Sequence, residues 1–291
     1  MRTVFIHFVA QLTIMLVITF YYLHLDMSKE KLMRFDGDEY WDDYDREMCD
    51  NMEMDKTWTY HDSLCISFIV GFENVRVEVI SWSPPVVIYR GIFSEIQVKN
   101  YLNVVEEQSL EPQKVVDVNG EVSVSNIRQA KGAYTPAHQF PAIQNLVNTA
   151  SRLITSINFA ISEDILALTY TKGGHFAIHY DYLEYEEALD NNGNRMATFI
   201  MVLHKPISGG GTIFPSLEAV VRPEAGDAIL WFNCKRNGKL EEYSAHGGCP
   251  INEGKKTIAT IWIQIHGQTL LEEYFGDESF NAKVFLPTGL F

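Results

Sequence analysis

Two stretches of this chain read as strands, and each lines up polar groups on one face. Tyr170-Thr171-Lys172-Gly173-Gly174 is a strand leading into a glycine turn, and His175 to Asp181 then alternates into a second strand. Neighbouring strand residues face opposite sides, so His179 and Asp181, two apart, share one. Lys256 to Ile265 is rich in β-branched residues and reads as a further strand. Within it Lys256, Ile258, Thr260 and Trp262 have one parity and therefore one face. A lysine directed into a barrel is costly unless it meets an anion, and the alternative is an exposed strand end.

His246, ten residues before Lys256, can add a third ligand to His179 and Asp181. Two imidazoles and a carboxylate on one face of a metal leave three positions open, the arrangement of non-haem Fe(II) oxygenases. Lys256 would then be a fixed cation for a co-substrate carboxylate. The first pair proves little alone, because His24-Leu25-Asp26 repeats it at the end of an apolar N-terminal run. A zinc hydrolase could use the same three ligands, but it leaves Lys256 without a role.

At 291 residues the chain can hold one large domain with extensions. Its net charge of −15 argues against nucleic acid as a partner. Thr3 to Leu25 is nearly all apolar after Arg2, so residues 1–25 read as a signal peptide or an uncleaved signal anchor. Either sends the rest to the endoplasmic reticulum lumen or the secretory pathway, with membrane contact only through this segment. Residues 26–79 read as an acidic linker, 80–270 as the catalytic domain and 271–291 as a C-terminal tail. Val86 to Tyr89 is an apolar strand. Ser94 with Gln97 forms a capping box opening a helix to about Ser109. Apolar residues from Ile143 to Ile157 recur at helical spacing, predicting a second helix over about 141–158 that packs on the outer face of the major sheet. Gly209-Gly210-Gly211 lacks the following helix and Lys-Ser/Thr pair of a phosphate loop and reads as a tight turn.

From about Val86 to Leu270 the chain resembles the catalytic domain of prolyl 4-hydroxylase α subunits, within the Fe(II)/2-oxoglutarate dioxygenases. The matching blocks are Tyr170 to Asp181, Gly193-Asn194-Arg195-Met196-Ala197-Thr198, Gly209 to Pro215, Gly226 to Asn233, His246-Gly247-Gly248-Cys249-Pro250, and Gly254-Lys255-Lys256 through Trp262 to Gln268. They occur in the family's order and near its spacing. The resemblance implies a mainly β fold with flanking helices, built on a double-stranded β-helix (jelly-roll) core. It implies Fe(II) on His179, Asp181 and His246, and Lys256 on the distal carboxylate of 2-oxoglutarate. Tyr170 and Thr198 fall where the family lines the co-substrate pocket, and Trp262 falls near the metal end. Ascorbate is the family's rescuing reductant. The implied reaction is hydroxylation of peptidyl proline coupled to decarboxylation of 2-oxoglutarate.

Phe176 departs from the family, which carries a tyrosine there; a different protein substrate is the alternative this raises. The chain is also a short form relative to full α subunits, which carry N-terminal dimerisation and peptide-substrate-binding domains. Protein disulfide isomerase, partner of those subunits, is left open for that reason. A non-catalytic binding subunit is a third possibility, against which the complete set of ligands and Lys256 stands. Cys49 and Cys65 are sixteen apart, close to the spacing of a family disulfide that precedes the catalytic domain, and the resemblance implies that pair. Cys234 and Cys249 could bridge each other across the intervening loop and strand. The four cysteines suit an oxidising compartment.

Overall fold

The computed structural model of the protein describes residues 35–50, 64–116, 122–184, 193–272 and 276–287. The apolar N-terminal run and His24-Leu25-Asp26 lie outside them. Among the described residues no helix is long and apolar enough to cross a membrane.

The strands, in chain order, begin with β1 (Leu64–Val70), β2 (Glu73–Trp82), β3 (Pro85–Tyr89), β4 (Glu111–Pro112), β5 (Lys114–Val116) and β6 (Val122–Val124). They continue with β7 (Lys131–Tyr134), β8 (Leu166–Tyr170), β9 (Phe176–His179), β10 (Arg195–His204), β11 (Ser208–Gly209) and β12 (Thr212–Phe214). The last are β13 (Ala219–Val221), β14 (Ala228–Phe232), β15 (His246–Gly248), β16 (Ile251–Glu253) and β17 (Lys256–Gln264). Helices are α1 (Asp43–Asp50), α2 (Glu95–Glu107), α3 (Pro141–Leu153) and α4 (Thr269–Glu272).

Nine strands form a major sheet in the order β1-β2-β3-β14-β10-β17-β8-β7-β4, and four form a minor sheet in the order β13-β12-β15-β9. From β8 onward the chain shuttles between them: β8 in the major sheet, β9 in the minor, β10 in the major, β12 and β13 in the minor, β14 in the major, β15 in the minor, β17 in the major. That alternation winds a double-stranded β-helix, the expected jelly roll. The protein is mainly β, with its helices on the flank.

The central strands β10, β14 and β17 are buried almost throughout, which explains their near-continuous apolar sequences. One face of the major sheet, with Phe199, Met201, Leu230 and Ile261, packs under Tyr101 and Val105 of α2 and Ile143, Leu146 and Ala150 of α3. The opposite face turns Leu168, Tyr170, Ile200, Trp231, Ile258 and Trp262 toward the minor sheet. Helix α2 begins at the predicted capping box: the Ser94 hydroxyl accepts from the Gln97 backbone N–H and the Gln97 side chain accepts from the Ser94 N–H. Helix α3 ends at Leu153, short of the predicted 158, because Ile154 leaves helical geometry while Ile154 and Ile157 still reach the core.

Three expectations are corrected. Cys49 pairs with Cys249, not Cys65, across 200 residues and with the Cα atoms 5.6 Å apart. Cys65 is a free, exposed thiol on edge strand β1, and Cys234 is free and buried. Spacing of sixteen misled because α1 does not stay beside β1; it crosses to the minor sheet, next to the turn after β15. Second, residues 26–79 are not a linker throughout. Trp41, Met48 and Cys49 form a small core with Ile213, Val220, Ala177 and Cys249 of the minor-sheet region, and Val75, Val77 and Val79 of β2 belong to the main core. Third, the C-terminal stretch is no loose tail, since Phe280 stacks on Phe232 with ring centroids 4.1 Å apart and Ala282 and Phe285 are buried.

Candidate active site

Strands β9 and β15 pair with His179 directly opposite His246. His179 ends β9, and Asp181 follows two residues later where the chain bends away. The donor atoms of His179, Asp181 and His246 all lie within 4.8 Å of one another. Each imidazole uses its Nδ1 on a backbone carbonyl, His179 on Ala177 at 2.8 Å and His246 on Ser244 at 3.0 Å. Both Nε2 atoms therefore face the carboxylate, each 3.6 Å from one of its oxygens. Anchoring Nδ1–H fixes the tautomer and leaves Nε2 as a lone-pair donor.

Electrostatics match that arrangement. Burial, with the His179 ring beside it, pushes the His246 pKa down to about 4, so the imidazole is neutral at physiological pH. Burial alone would raise the Asp181 pKa, but His246 and His179 outweigh it and hold the carboxyl well below the usual carboxylate range. A neutral His246 imidazole and an ionised Asp181 carboxylate are the protonation states a divalent cation requires. The mixed N/O donor set with one open side suits Fe(II).

A cavity runs from this cluster along the inner face of β17, where Lys256, Ile258, Thr260 and Trp262 line it as their common parity predicted. Lys256, at the start of β17, is buried and donates to the Gly210 carbonyl at 2.7 Å. Burial lowers its pKa to about 8. Tyr170 sits opposite Lys256 in register and lines the same cavity. Burial raises the Tyr170 pKa, with the Arg128 guanidinium opposing. Gly210, in the left-handed region at φ 68°, passes close to Lys256: a Cβ there would lie 2.5 Å from Ile251. The turn expected at Gly209 to Gly211 thus supplies the acceptor for the lysine.

Thr198 differs from its expected place. Its hydroxyl donates to Asp181 Oδ2 at 2.7 Å, so it stands behind the carboxylate and is not among the cavity-lining residues. Phe176 lines the mouth, stacked on His179. Trp262 is covered by the Arg195 guanidinium, 3.9 Å above its ring.

Two arginines also border the site. Arg128 lies over the other side of the mouth, 4.6 Å from the Phe176 ring centre. Arg195 is held by Glu163 at 2.8 Å and reaches the Asp181 carbonyl at 3.4 Å. Arg195 stood inside the Gly193–Thr198 block and could have been suspected from it. Asn194 beside it closes the loop that leaves Asp181, accepting from the Leu183 N–H at 2.9 Å and donating to the Leu183 carbonyl at 2.7 Å.

The sequence profile of the 2OG-Fe(II) oxygenase superfamily matches residues 165–264. The chain is 30% identical over 214 residues to probable prolyl 4-hydroxylase 7 of Arabidopsis thaliana, with 67% of each protein covered. It is 29% identical over 218 residues to probable prolyl 4-hydroxylase 6 of the same plant, covering 68% of this chain and 75% of that one. Against prolyl 4-hydroxylase subunit alpha-2 of Caenorhabditis elegans identity is 29% over 202 residues, covering 67% of this chain but only 36% of the longer subunit. With the chemistry of its donor set, these similarities make the chain a member of the prolyl 4-hydroxylase family, an Fe(II)- and 2-oxoglutarate-dependent dioxygenase.

Proposed function

We propose that the protein hydroxylates proline in a peptide or protein substrate, with His179, Asp181 and His246 holding Fe(II). Lys256 pairs with the distal carboxylate of 2-oxoglutarate and Tyr170 borders the same pocket. The observation that carries this is the shared cavity: three metal donors at one end and, at the other, a buried lysine that meets no carboxylate among the described residues. Bound iron supplies the oxygen activation. The residues bind, orient and exclude water: the imidazoles present Nε2, Lys256 fixes the co-substrate's far end, and Leu168, Ile258 and Trp262 keep the wall apolar.

The names of the plant and nematode relatives support proline as the target. The Cys49–Cys249 disulfide supports an oxidising compartment, in keeping with the secretory pathway. Ascorbate as reductant follows the family resemblance. Phe176 favours one second reading, a dioxygenase for another protein substrate, because the mouth offers an apolar ring where the family has a hydroxyl.

The test is incubation with Fe(II), 2-oxoglutarate, ascorbate and a proline-rich peptide. The expected result is succinate release matched by a gain of one oxygen on proline, and loss of both in His179→Ala. Equal turnover by wild type and His179→Ala would overturn the site. Succinate coupled to oxygen on a different residue across a peptide panel would replace the substrate.

A further inference from the structure

The contact behind Asp181 continues one residue further. Asn233 follows β14, wholly buried, with the same parity as Trp231, which pairs with Thr198 in register. Its Nδ2 donates to Thr198 Oγ1 at 2.8 Å, and the Thr198 hydroxyl donates to Asp181 Oδ2 at 2.7 Å. The direction is dictated by proton count. Ionised Asp181 can only accept, and Thr198 has one proton to give. If the amide were turned to present its oxygen, Thr198 would face two acceptors with that one proton. Only the amide N–H₂ orientation gives Thr198 a donor and leaves its own proton for Asp181, and it leaves Asn233 Oδ1 buried without a partner among the described residues.

We propose that Asn233 is a positioning residue for the metal-binding carboxylate. It acts through Thr198, fixing the rotation of the Asp181 carboxylate by tying down Oδ2. A carboxylate so held would present one fixed orientation to a cation on His179, Asp181 and His246. Groups that orient metal ligands typically change affinity by roughly 10–100-fold when removed. This role rests on the assignment of His179, Asp181 and His246 as the metal site.

The test is anaerobic titration with Mn(II), read by its EPR signal, on the full chain without substrate. Thr198→Val and Asn233→Asp should each weaken Mn(II) about 10–100-fold. Asn233→Asp is close in shape but can only accept, so it takes the Thr198 proton away from Asp181. Thr198→Ser, which keeps the hydroxyl, should restore affinity to within about threefold, a rescue that a packing role of the threonine methyl would not produce. The double variant should be no weaker than Thr198→Val alone, because Asn233 acts only through that hydroxyl. Losses that multiply in the double variant, or unchanged Mn(II) affinity with weakened 2-oxoglutarate binding in Thr198→Val, would overturn the relay. Wild-type affinity no better than that of His179→Ala would overturn the metal site and the relay with it.

Discussion

The ring of Phe176 lies over that of His179, with centroids 3.6 Å apart and planes 19° from parallel. On its other side stands the Arg128 guanidinium, so the mouth of the site is a three-layer stack of cation, ring and imidazole. The ring holds a metal-ligand candidate by its face, and a tyrosine could do the same while adding a hydroxyl. Phe176→Tyr should therefore leave Mn(II) affinity within about threefold and change the KM for peptide, whereas Phe176→Ala, with the stack removed, should weaken the metal. Stacked aromatic contacts of this kind contribute about 0.5–1.5 kcal/mol, or up to roughly tenfold in affinity. Metal titration beside steady-state kinetics separates the two effects.

Lys256 gives a pH dependence with a defined sign. Its pKa is lowered to about 8, and a co-substrate carboxylate needs the ammonium form. Binding of 2-oxoglutarate should be insensitive to pH well below 8 and should weaken by about tenfold per unit well above it. Calorimetry in buffers of different ionisation enthalpy should show proton uptake on binding above pH 8. Stability of the free protein runs the other way. The penalty for burying the charge is present below about 8, and stability rises from there toward the ordinary lysine value of 10.5, where the unfolded chain binds the extra proton.

The Cys49–Cys249 bond closes a loop of 200 residues. Opening it should lower the unfolding free energy by about 2–5 kcal/mol. Denaturant titration of Cys49→Ser against wild type measures the loss, and peptide mapping without reductant should recover residues 49 and 249 in one linked fragment.

Phe280 is fully buried against Phe232. Phe280→Ala should destabilise the fold by about 3–5 kcal/mol, the usual range for emptying a buried aromatic position. A thermal melt unchanged from wild type would show that the C-terminal stretch does not belong to the core.

What was legible in the sequence depended on distance along the chain. Parity along one strand placed Lys256, Ile258, Thr260 and Trp262 on the cavity wall, because period two holds wherever a strand forms. The same expectation paired His179 with Asp181, but β9 ends at His179, and the bend beyond it brings the carboxylate to the imidazoles. Cys249 was assigned no firm partner because α1 had first to be laid on the minor sheet, which local pattern does not encode. Thr198 was given the right neighbourhood and the wrong contact: the family blocks fix the strand, while the hydroxyl's direction depends on Asp181 bending back toward it. Arg128 stands at a single β-bridge to Phe176, outside any periodic stretch, so no pattern marked it. Asn233 did leave a trace, since its parity with Trp231 puts it on the inner face of the major sheet.

The minor sheet is a wall with chemistry on one side and the disulfide-tied α1 segment on the other. His179 and His246 face each other across two strands of four and three residues. The pairing carries an irregularity between His179–His246 and Phe176–Gly248, which brings Phe176 and His179 to the same side, and a slip of one residue between the strands would take the two imidazoles out of register. Correct strand alignment and a complete site are thus a single event. An ion held by His179 and His246 would tie the two strands together, with α1 packed behind them.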